Sequence, residues 1–114
     1  MANPVVHFEI LGRDLFYGDL FGWELNVLDQ MNYALVEAGE RGIGGGIGKT
    51  DEGAGHVTLY IEVDDPQAYL DRAERLGGTT IMPVTVIPDM VTFALVADPE
   101  GHVVGVVKAE SPEL

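Results

Sequence analysis

The 114-residue sequence predicts an α+β fold built from two copies of one strand–helix–strand–strand–strand unit. Strand-like and helix-like apolar patterns follow one another in the same order twice, and matching residues recur in the two halves at nearly constant offsets. Glycines also follow both predicted helices. We expect a single domain over residues 1–114, with a first repeat at 4–50 and a second repeat at 56–110.

The first repeat combines a short helix with four predicted strands. Residues 5–10 are β-branched and aromatic, which is typical of a strand. Asp14 is a suitable N-cap for a helix of barely two turns that ends at Gly22. The remaining strands are predicted at residues 23–28, 33–36 and 42–48.

The second repeat has the same order with a longer helix. Asp65 followed by Pro66 predicts the helix start, because Asp accepts hydrogen bonds from free amides and Pro fits the first turn. We expect the helix to end near Leu76 and to share one buried face among Tyr69, Ala73 and Leu76. The strands are predicted at residues 57–63, 79–82, 90–96 and 103–107, with a type I turn at 98–101.

The repeat offsets assign equivalent positions in the two halves. The predicted helix starts are 51 residues apart, whereas the fourth-strand glycines Gly46 and Gly105 are 59 apart. The smaller offset makes Thr58 the equivalent of His7. The glycine-rich stretch at 42–48 is therefore predicted to be a strand, not a loop or a phosphate-binding site, since a phosphate loop requires a following helix.

Charge and composition restrict the possible partners. A net charge of −13 repels phosphate backbones, so we expect no nucleic-acid partner. The acidity is explained either by solubility or by attraction of a cationic ligand. Cysteine is absent, which excludes thiolate metal sites and favours the cytoplasm. No apolar run is long enough to predict a membrane span.

Four segments in order resemble the vicinal oxygen chelate superfamily, which includes glyoxalase I, bleomycin-resistance proteins and extradiol dioxygenases. They are Val-Val-His-Phe-Glu-Ile at 5–10, Phe-Tyr-Gly-Asp-Leu-Phe-Gly-Trp at 16–23, Tyr-Ile-Glu-Val-Asp-Asp-Pro at 60–66 and Ala-Asp-Pro-Glu-Gly at 97–101. The resemblance implies two βαβββ units in an open, cup-like mixed β-sheet barrel with helices outside, a ligand or metal in the cup, and a homodimer. The first helix is about one turn shorter than is usual in the superfamily.

Metal enzymes of this superfamily, as the resemblance implies, take ligands from the first and last strand of each unit. His7 matches one of these places, but the other three carry Thr58, Gly46 and Gly105. One ligand does not hold a catalytic divalent ion, so we expect no metal and no other cofactor. His56 is an alternative ligand, but it lies two residues, about 6.6 Å, from Thr58 along the strand. His102 is interpreted as a turn residue.

Strand alternation places His7 and Glu9 on the face opposite Phe8 and Ile10. Tyr33 corresponds to Phe93 in the second repeat, and both faces of the strands that carry these two residues are apolar. The sequence therefore leaves open whether the two rings line the pocket or pack in the core. The predicted ligand-binding residues are His7, Glu9, Tyr33, Gly46, Thr58, Tyr60, Glu62, Phe93 and Gly105.

Three functions follow from these assignments. The first is a metal-free protein that binds a small organic molecule in a β-cup. The second is a divalent-metal lyase, isomerase or dioxygenase that uses His7. The third is a metal-free enzyme with Glu9 or Glu62 as acid or base. No nucleophile–base pair is evident, and no catalytic residue is assigned.

Overall fold

The order of elements is strand, helix and three strands, and this order occurs twice in the computed structural model, which describes residues 2–12, 16–28, 33–49 and 55–109. The α+β class and the two βαβββ repeats are therefore confirmed. The predicted N-cap Asp14 and the acidic connection at 51–54 lie outside the described residues. The elements are β1 (Val5–Gly12), α1 (Phe16–Phe21), β2 (Leu25–Leu28), β3 (Tyr33–Val36), β4 (Gly44–Lys49), β5 (His56–Val63), α2 (Pro66–Arg75), β6 (Thr79–Ile87), β7 (Val91–Ala97) and β8 (Val103–Lys108).

Strand register confirms the repeat residue by residue. The first and last strands of each repeat pair in parallel, with Glu9 opposite Gly46 in the first repeat and Tyr60 opposite Gly105 in the second. These pairs differ by the two offsets that the sequence predicts, 51 and 59. The contacts divide the chain into two compact units, positions 6–59 and positions 60–114 together with the first five.

In the first unit the strands pair in the order β2-β3-β4-β1. One face of this sheet carries the Phe8 ring, whose centroid lies 5.3 Å from that of Trp23. The Trp23 ring in turn lies 5.3 Å from Phe21, at the end of α1. Gly22 follows with a positive φ of 69°, the left-handed conformation that glycine adopts most easily at a helix end. His7 and Glu9 lie on the opposite face, as predicted.

In the second unit the strands pair in the order β5-β8-β7-β6, and α2 packs on β6, β7 and β8. The Asp65 side chain caps α2 by accepting a hydrogen bond from the Ala68 amide at 3.4 Å, and Pro66 opens the helix. Both features were predicted. The core consists of Val63, Leu70, Ala94, Val96 and Val106.

The predicted apolar face of α2 is partly wrong. Tyr69 and Ala73 pack against the core, but Leu76 is 73% exposed. The helix ends at Arg75 and Leu76 is its C-cap, so its side chain no longer follows the helical face. Leu70, which is 2% exposed, fills the core instead. Strand β6 also continues to Ile87, beyond the predicted end at residue 82, with irregular register along its length.

Among the described residues, neither helix is long and apolar enough to cross a membrane.

Candidate functional site

Two aromatic rings cover the glycine-rich strand β4, one on each face. A Cβ added at Gly45 would overlap the Phe8 ring, and a Cβ added at Gly46 would overlap the phenol of Tyr33. Gly45 and Gly46 are therefore needed for the two rings to approach the backbone of β4 this closely. The rings pack on the strand where its own residues have no side chains. The stretch at 42–48 is a strand from residue 44 onward, as the repeat predicts.

Tyr33 joins the first strand to the third through a hydrogen-bonded chain. Its hydroxyl donates to Glu9 Oε2 at 3.0 Å and lies 3.4 Å from His7 Nε2. All three side chains are half-buried. Tyr33 therefore lies on the face of the sheet that carries His7 and Glu9. The apolar pattern of its own strand did not determine this face.

Gly46 makes this chain possible. Glu9 on β1 and Leu35 on β3 are the direct neighbours of Gly46 on either side. Tyr33 pairs with Gly48, so its side chain crosses β4 diagonally to reach Glu9. Adjacent strands are about 4.8 Å apart, and the bridge spans two such spacings. A side chain at position 46 would block it.

Burial lowers the pKa of His7 below its ordinary value, and the nearby Glu9 carboxylate offsets part of this effect. Desolvation disfavours the imidazolium form. The lowered pKa favours the neutral imidazole form of His7 at neutral pH.

The second repeat covers its equivalent glycine with a ring from a different strand. A Cβ at Gly105 would overlap the ring of Tyr60, which is 8% exposed. Phe93 packs edge-on against Tyr60, with ring centroids 6.2 Å apart. By strand register, Tyr60 is the repeat mate of Glu9, so this half has an aromatic ring where the first half has a carboxylate.

Seven of the nine predicted residues form two groups, each within one unit. His7, Glu9, Tyr33 and Gly46 meet in the first, while Tyr60, Phe93 and Gly105 meet in the second. Thr58 is 2% exposed, and Glu62 is half-buried with its backbone amide donating to Pro4 at 2.9 Å.

Sequence reasoning missed Gly48 and Leu11 in the first group. A Cβ at Gly48 would lie 2.8 Å from a Leu11 methyl and 2.9 Å from the Tyr33 ring. Alternation along β4 could have identified Gly48, because it lies on the same face as Gly46. Likewise, Leu11 lies two residues after Glu9 on β1 and therefore on the same face.

The four ligand positions implied by the superfamily do not fit a divalent metal ion. His7 is suitable, but Thr58 is a poor ligand and the two glycines have no side chain. Moreover, the space where a carboxylate would extend from Gly46 or Gly105 is filled by Tyr33 or Tyr60. A metal-binding carboxylate at position 46 and the observed Tyr33 side chain exclude each other.

The two remaining histidines lie outside these groups. His56 is the exposed first residue of β5. His102 follows the predicted turn, which closes with a hydrogen bond from the Gly101 amide to the Asp98 carbonyl at 2.9 Å. The Asp98 carboxylate accepts from the backbone amides of His102 and Glu100, both at 2.9 Å, and these bonds, led by that from His102, lower the pKa of Asp98. His102 is therefore a turn residue, as predicted.

Comparison with known proteins identifies several relatives. The profile of a family described as "Glyoxalase-like domain" matches residues 13–107. The candidate glyoxylase CFP32 of Mycobacterium bovis is 33% identical over 78 residues, which are 68% of this chain but 30% of that relative. The chain thus spans less than a third of the length of this mycobacterial relative.

Two solved structures have the same fold at low sequence identity. The methylmalonyl-CoA epimerase of Mycobacterium tuberculosis has a TM-score of 0.67 at 15% identity, over 94% of this chain and 88% of the epimerase. A glyoxalase/bleomycin resistance protein/dioxygenase superfamily member from Vibrio splendidus 12B01 has a TM-score of 0.64 at 17% identity, over 95% of this chain and 100% of that chain.

Proposed function

This chain belongs to the glyoxalase-like family of the vicinal oxygen chelate superfamily, and we propose that it binds a small organic molecule without a divalent metal ion. The binding surface is the face of the first sheet that carries His7, Glu9 and Tyr33. These residues combine polar groups with the apolar side chains of Leu11 and Leu35 on the same face, as small-molecule sites commonly do.

The observation that carries this proposal is the position of the Tyr33 ring. The phenol fills the space over Gly46 and uses Glu9 and His7 as hydrogen-bond partners. A metal ion bound directly by protein side chains would instead need His7 to face the ion, together with further ligands from the last strands. Tyr60 fills the corresponding space over Gly105.

Metal content tests the proposal directly. The full chain, purified without an affinity tag or chelator, is dialysed against equimolar Zn²⁺, Ni²⁺, Mn²⁺ and Fe²⁺ under anaerobic conditions. Bound metal is then measured by inductively coupled plasma mass spectrometry. We expect far less than one ion per chain, and we expect His7→Ala to leave that value unchanged.

A surface control separates a true site from adventitious binding. Asp98, Glu100 and His102 are exposed and have ligand atoms within 4.8 Å of one another. Metal that is lost in His102→Ala comes from this turn, and it supports the proposal if His7→Ala has no effect. Near-stoichiometric metal that is lost in His7→Ala and kept in His102→Ala would overturn the proposal in favour of a metal enzyme.

A further inference from the structure

We propose that helix α1 carries an interaction surface that pairs with the same helix of a second copy of this chain. This surface, called the α1 face below, consists of Phe16, Tyr17, Leu20 and Phe21. The rings of Phe21 and Trp23 connect it to the Phe8 side of the first sheet. Pairing through α1 therefore does not use the side of the sheet proposed to bind a ligand.

Helix α1 exposes its large apolar side chains and buries its glycine. The four side chains of the α1 face are between 37% and 57% exposed. At 3.6 residues per turn they lie on one arc of about 140° around the helix. Gly18 is buried instead, and a Cβ there would lie 2.9 Å from a Leu25 methyl. A surface helix normally turns its apolar stripe to the core, so this reversed arrangement indicates that another molecule covers α1.

The area of the α1 face suits a dimer interface. If a full side chain has about 200 Å², the observed exposures amount to about 400 Å² of apolar surface. A standard interface buries about 800 Å² on each partner, of which a little over half is apolar. The rings also pack on one another already, since the centroid of Tyr17 lies 5.1 Å from that of Phe16 and 6.2 Å from that of Phe21. Little side-chain freedom is therefore lost on association.

The order of side chains along α1 is self-complementary. Phe-Tyr-Gly-Asp-Leu-Phe has an apolar pair at each end of the helix and a glycine and an aspartate between them. A two-fold axis through the midpoint exchanges the two ends, so it places Phe16 on Phe21 of the partner subunit. It likewise places Tyr17 on Leu20 of the partner subunit, while Asp19 lies outside the apolar arc. Two-fold dimers require such a surface, which favours a second copy over an unrelated partner.

The charge of the chain predicts how salt affects this pairing. Each copy has a net charge of −13, so long-range repulsion opposes association at low salt. The α1 face itself contains no acidic or basic residue. Because salt screens the repulsion between the two copies, the dimer is expected to tighten as salt rises. A cationic partner on the same surface would bind more weakly as salt rises.

Sedimentation velocity of the full, untagged chain tests the proposal. The mass is measured from low micromolar to several hundred micromolar concentrations, at low and at high salt. We expect a reversible monomer–dimer equilibrium with a dissociation constant in the micromolar range, as weak interfaces of this size commonly give. We also expect a smaller dissociation constant at high salt than at low salt.

Leu20→Lys and Leu76→Lys are matched variants. Both replace an exposed leucine and change the net charge equally, but Leu76 lies in the second unit and is 73% exposed. We expect Leu20→Lys to weaken the dimer at least about tenfold at high salt, because the two-fold axis brings a lysine from each copy into the apolar interface. Leu76→Lys is expected to change the dissociation constant less than about twofold under the same conditions.

Crosslinking decides the matter if Leu20→Lys fails to fold. The chain contains no cysteine, so Leu20→Cys and Leu76→Cys each introduce a single thiol. The axes of packed helices lie about 8–10 Å apart, a gap that a short bismaleimide spans. We expect Leu20→Cys to give a covalent dimer and Leu76→Cys to remain mainly monomeric.

Three results would overturn the proposal: a chain that stays monomeric throughout this concentration range, a dimer that Leu20→Lys leaves intact, or equal crosslinking at positions 20 and 76. A dimer that weakens as salt rises would also overturn it, since charge pairs rather than the α1 face would then hold the copies together. None of these results affects the metal measurement, which tests the proposed function separately.

Discussion

Replacing Gly46 with alanine tests the packing of Tyr33 against the glycine strand. The added methyl group would occupy the space of the Tyr33 phenol, so the ring must swing away and release Glu9. A hydrogen bond to a charged group contributes about 1.5 kcal/mol at the low end of its range, which suits the half-buried Glu9. Imperfect repacking adds about 1 kcal/mol. The alanine restricts the unfolded chain and returns about 0.7 kcal/mol.

The expected net loss for Gly46→Ala is about 2 kcal/mol in the free energy of unfolding. Urea denaturation measures it, followed by far-ultraviolet circular dichroism and by the fluorescence of Trp23, the single tryptophan of the chain. The same substitution in a Tyr33→Ala background should cost nothing further, because the obstructing ring is gone. The coupling between the two positions is therefore expected to be about 2 kcal/mol, within the range for residues in contact.

Gly42→Ala is the matched control for backbone effects. A Cβ at Gly42 meets nothing within 4 Å. Its expected effect is therefore between zero and a gain of about 1 kcal/mol. If Gly46→Ala costs the same with Tyr33 present or absent, the cost arises in the backbone, and the proposed steric role of Tyr33 is refuted.

Four further predictions concern the charge of the site and the second-unit helix. Because burial lowers the pKa of His7 and Glu9 partly restores it, Glu9→Gln should lower that pKa further, as measured by NMR titration of the imidazole; an increase would contradict the assigned causes. The unfolded chain binds the His7 proton more readily than the folded chain, so the folded state loses stability as the pH falls below about 6.5, and His7→Gln should reduce this loss in urea titrations at several pH values. Leu70→Ala should cost about 2–5 kcal/mol, whereas Leu76→Ala, at a 73% exposed position, should cost less than about 0.5 kcal/mol; equal costs would restore the predicted helix face. Asp65→Ala should cost about 1 kcal/mol by removing the cap of α2, and Asp65→Ser should recover most of it.

Much of the fold could be predicted because the sequence offsets between the two repeats show which strand positions are equivalent. The offset of 51 relates the first strands of the two repeats, and the offset of 59 relates their last strands. Parallel pairing places Glu9 beside Gly46 and Tyr60 beside Gly105, in agreement with both numbers. The two helix lengths, 6 and 10 residues, also differ by the expected four.

The face of the sheet on which the Tyr33 side chain lies could not be predicted from the sequence of its strand. Tyr-Ala-Leu-Val presents an apolar side chain on both faces, so alternation gives no sign of which face is buried. In the structure Ala34 and Val36 are buried at 2% and 5% exposure, and Tyr33 occupies the opposite face. The orientation of Tyr33 depends on Gly46 in the neighbouring strand β4, which leaves space for the ring. This contact is between residues far apart in the sequence, so the β-propensity of the Tyr33 strand does not reveal it. The exposure of Leu76 is a similar case, since it depends on where the helix ends.

The two repeats solve one packing problem with different strands, and this difference determines where the hydrogen-bonded polar side chains lie. Each has a glycine in its last strand that needs an aromatic ring, but the ring comes from β3 in the first repeat and from β5 in the second. Tyr60 covers its glycine directly and packs on Phe93, so this group is aromatic. In the first repeat Glu9 holds the position of Tyr60. The covering ring therefore reaches over from β3, and its hydroxyl meets the carboxylate. In the first repeat, the ring that fills the glycine space therefore also donates a hydrogen bond to Glu9, whereas the second repeat fills the equivalent space with an aromatic pair.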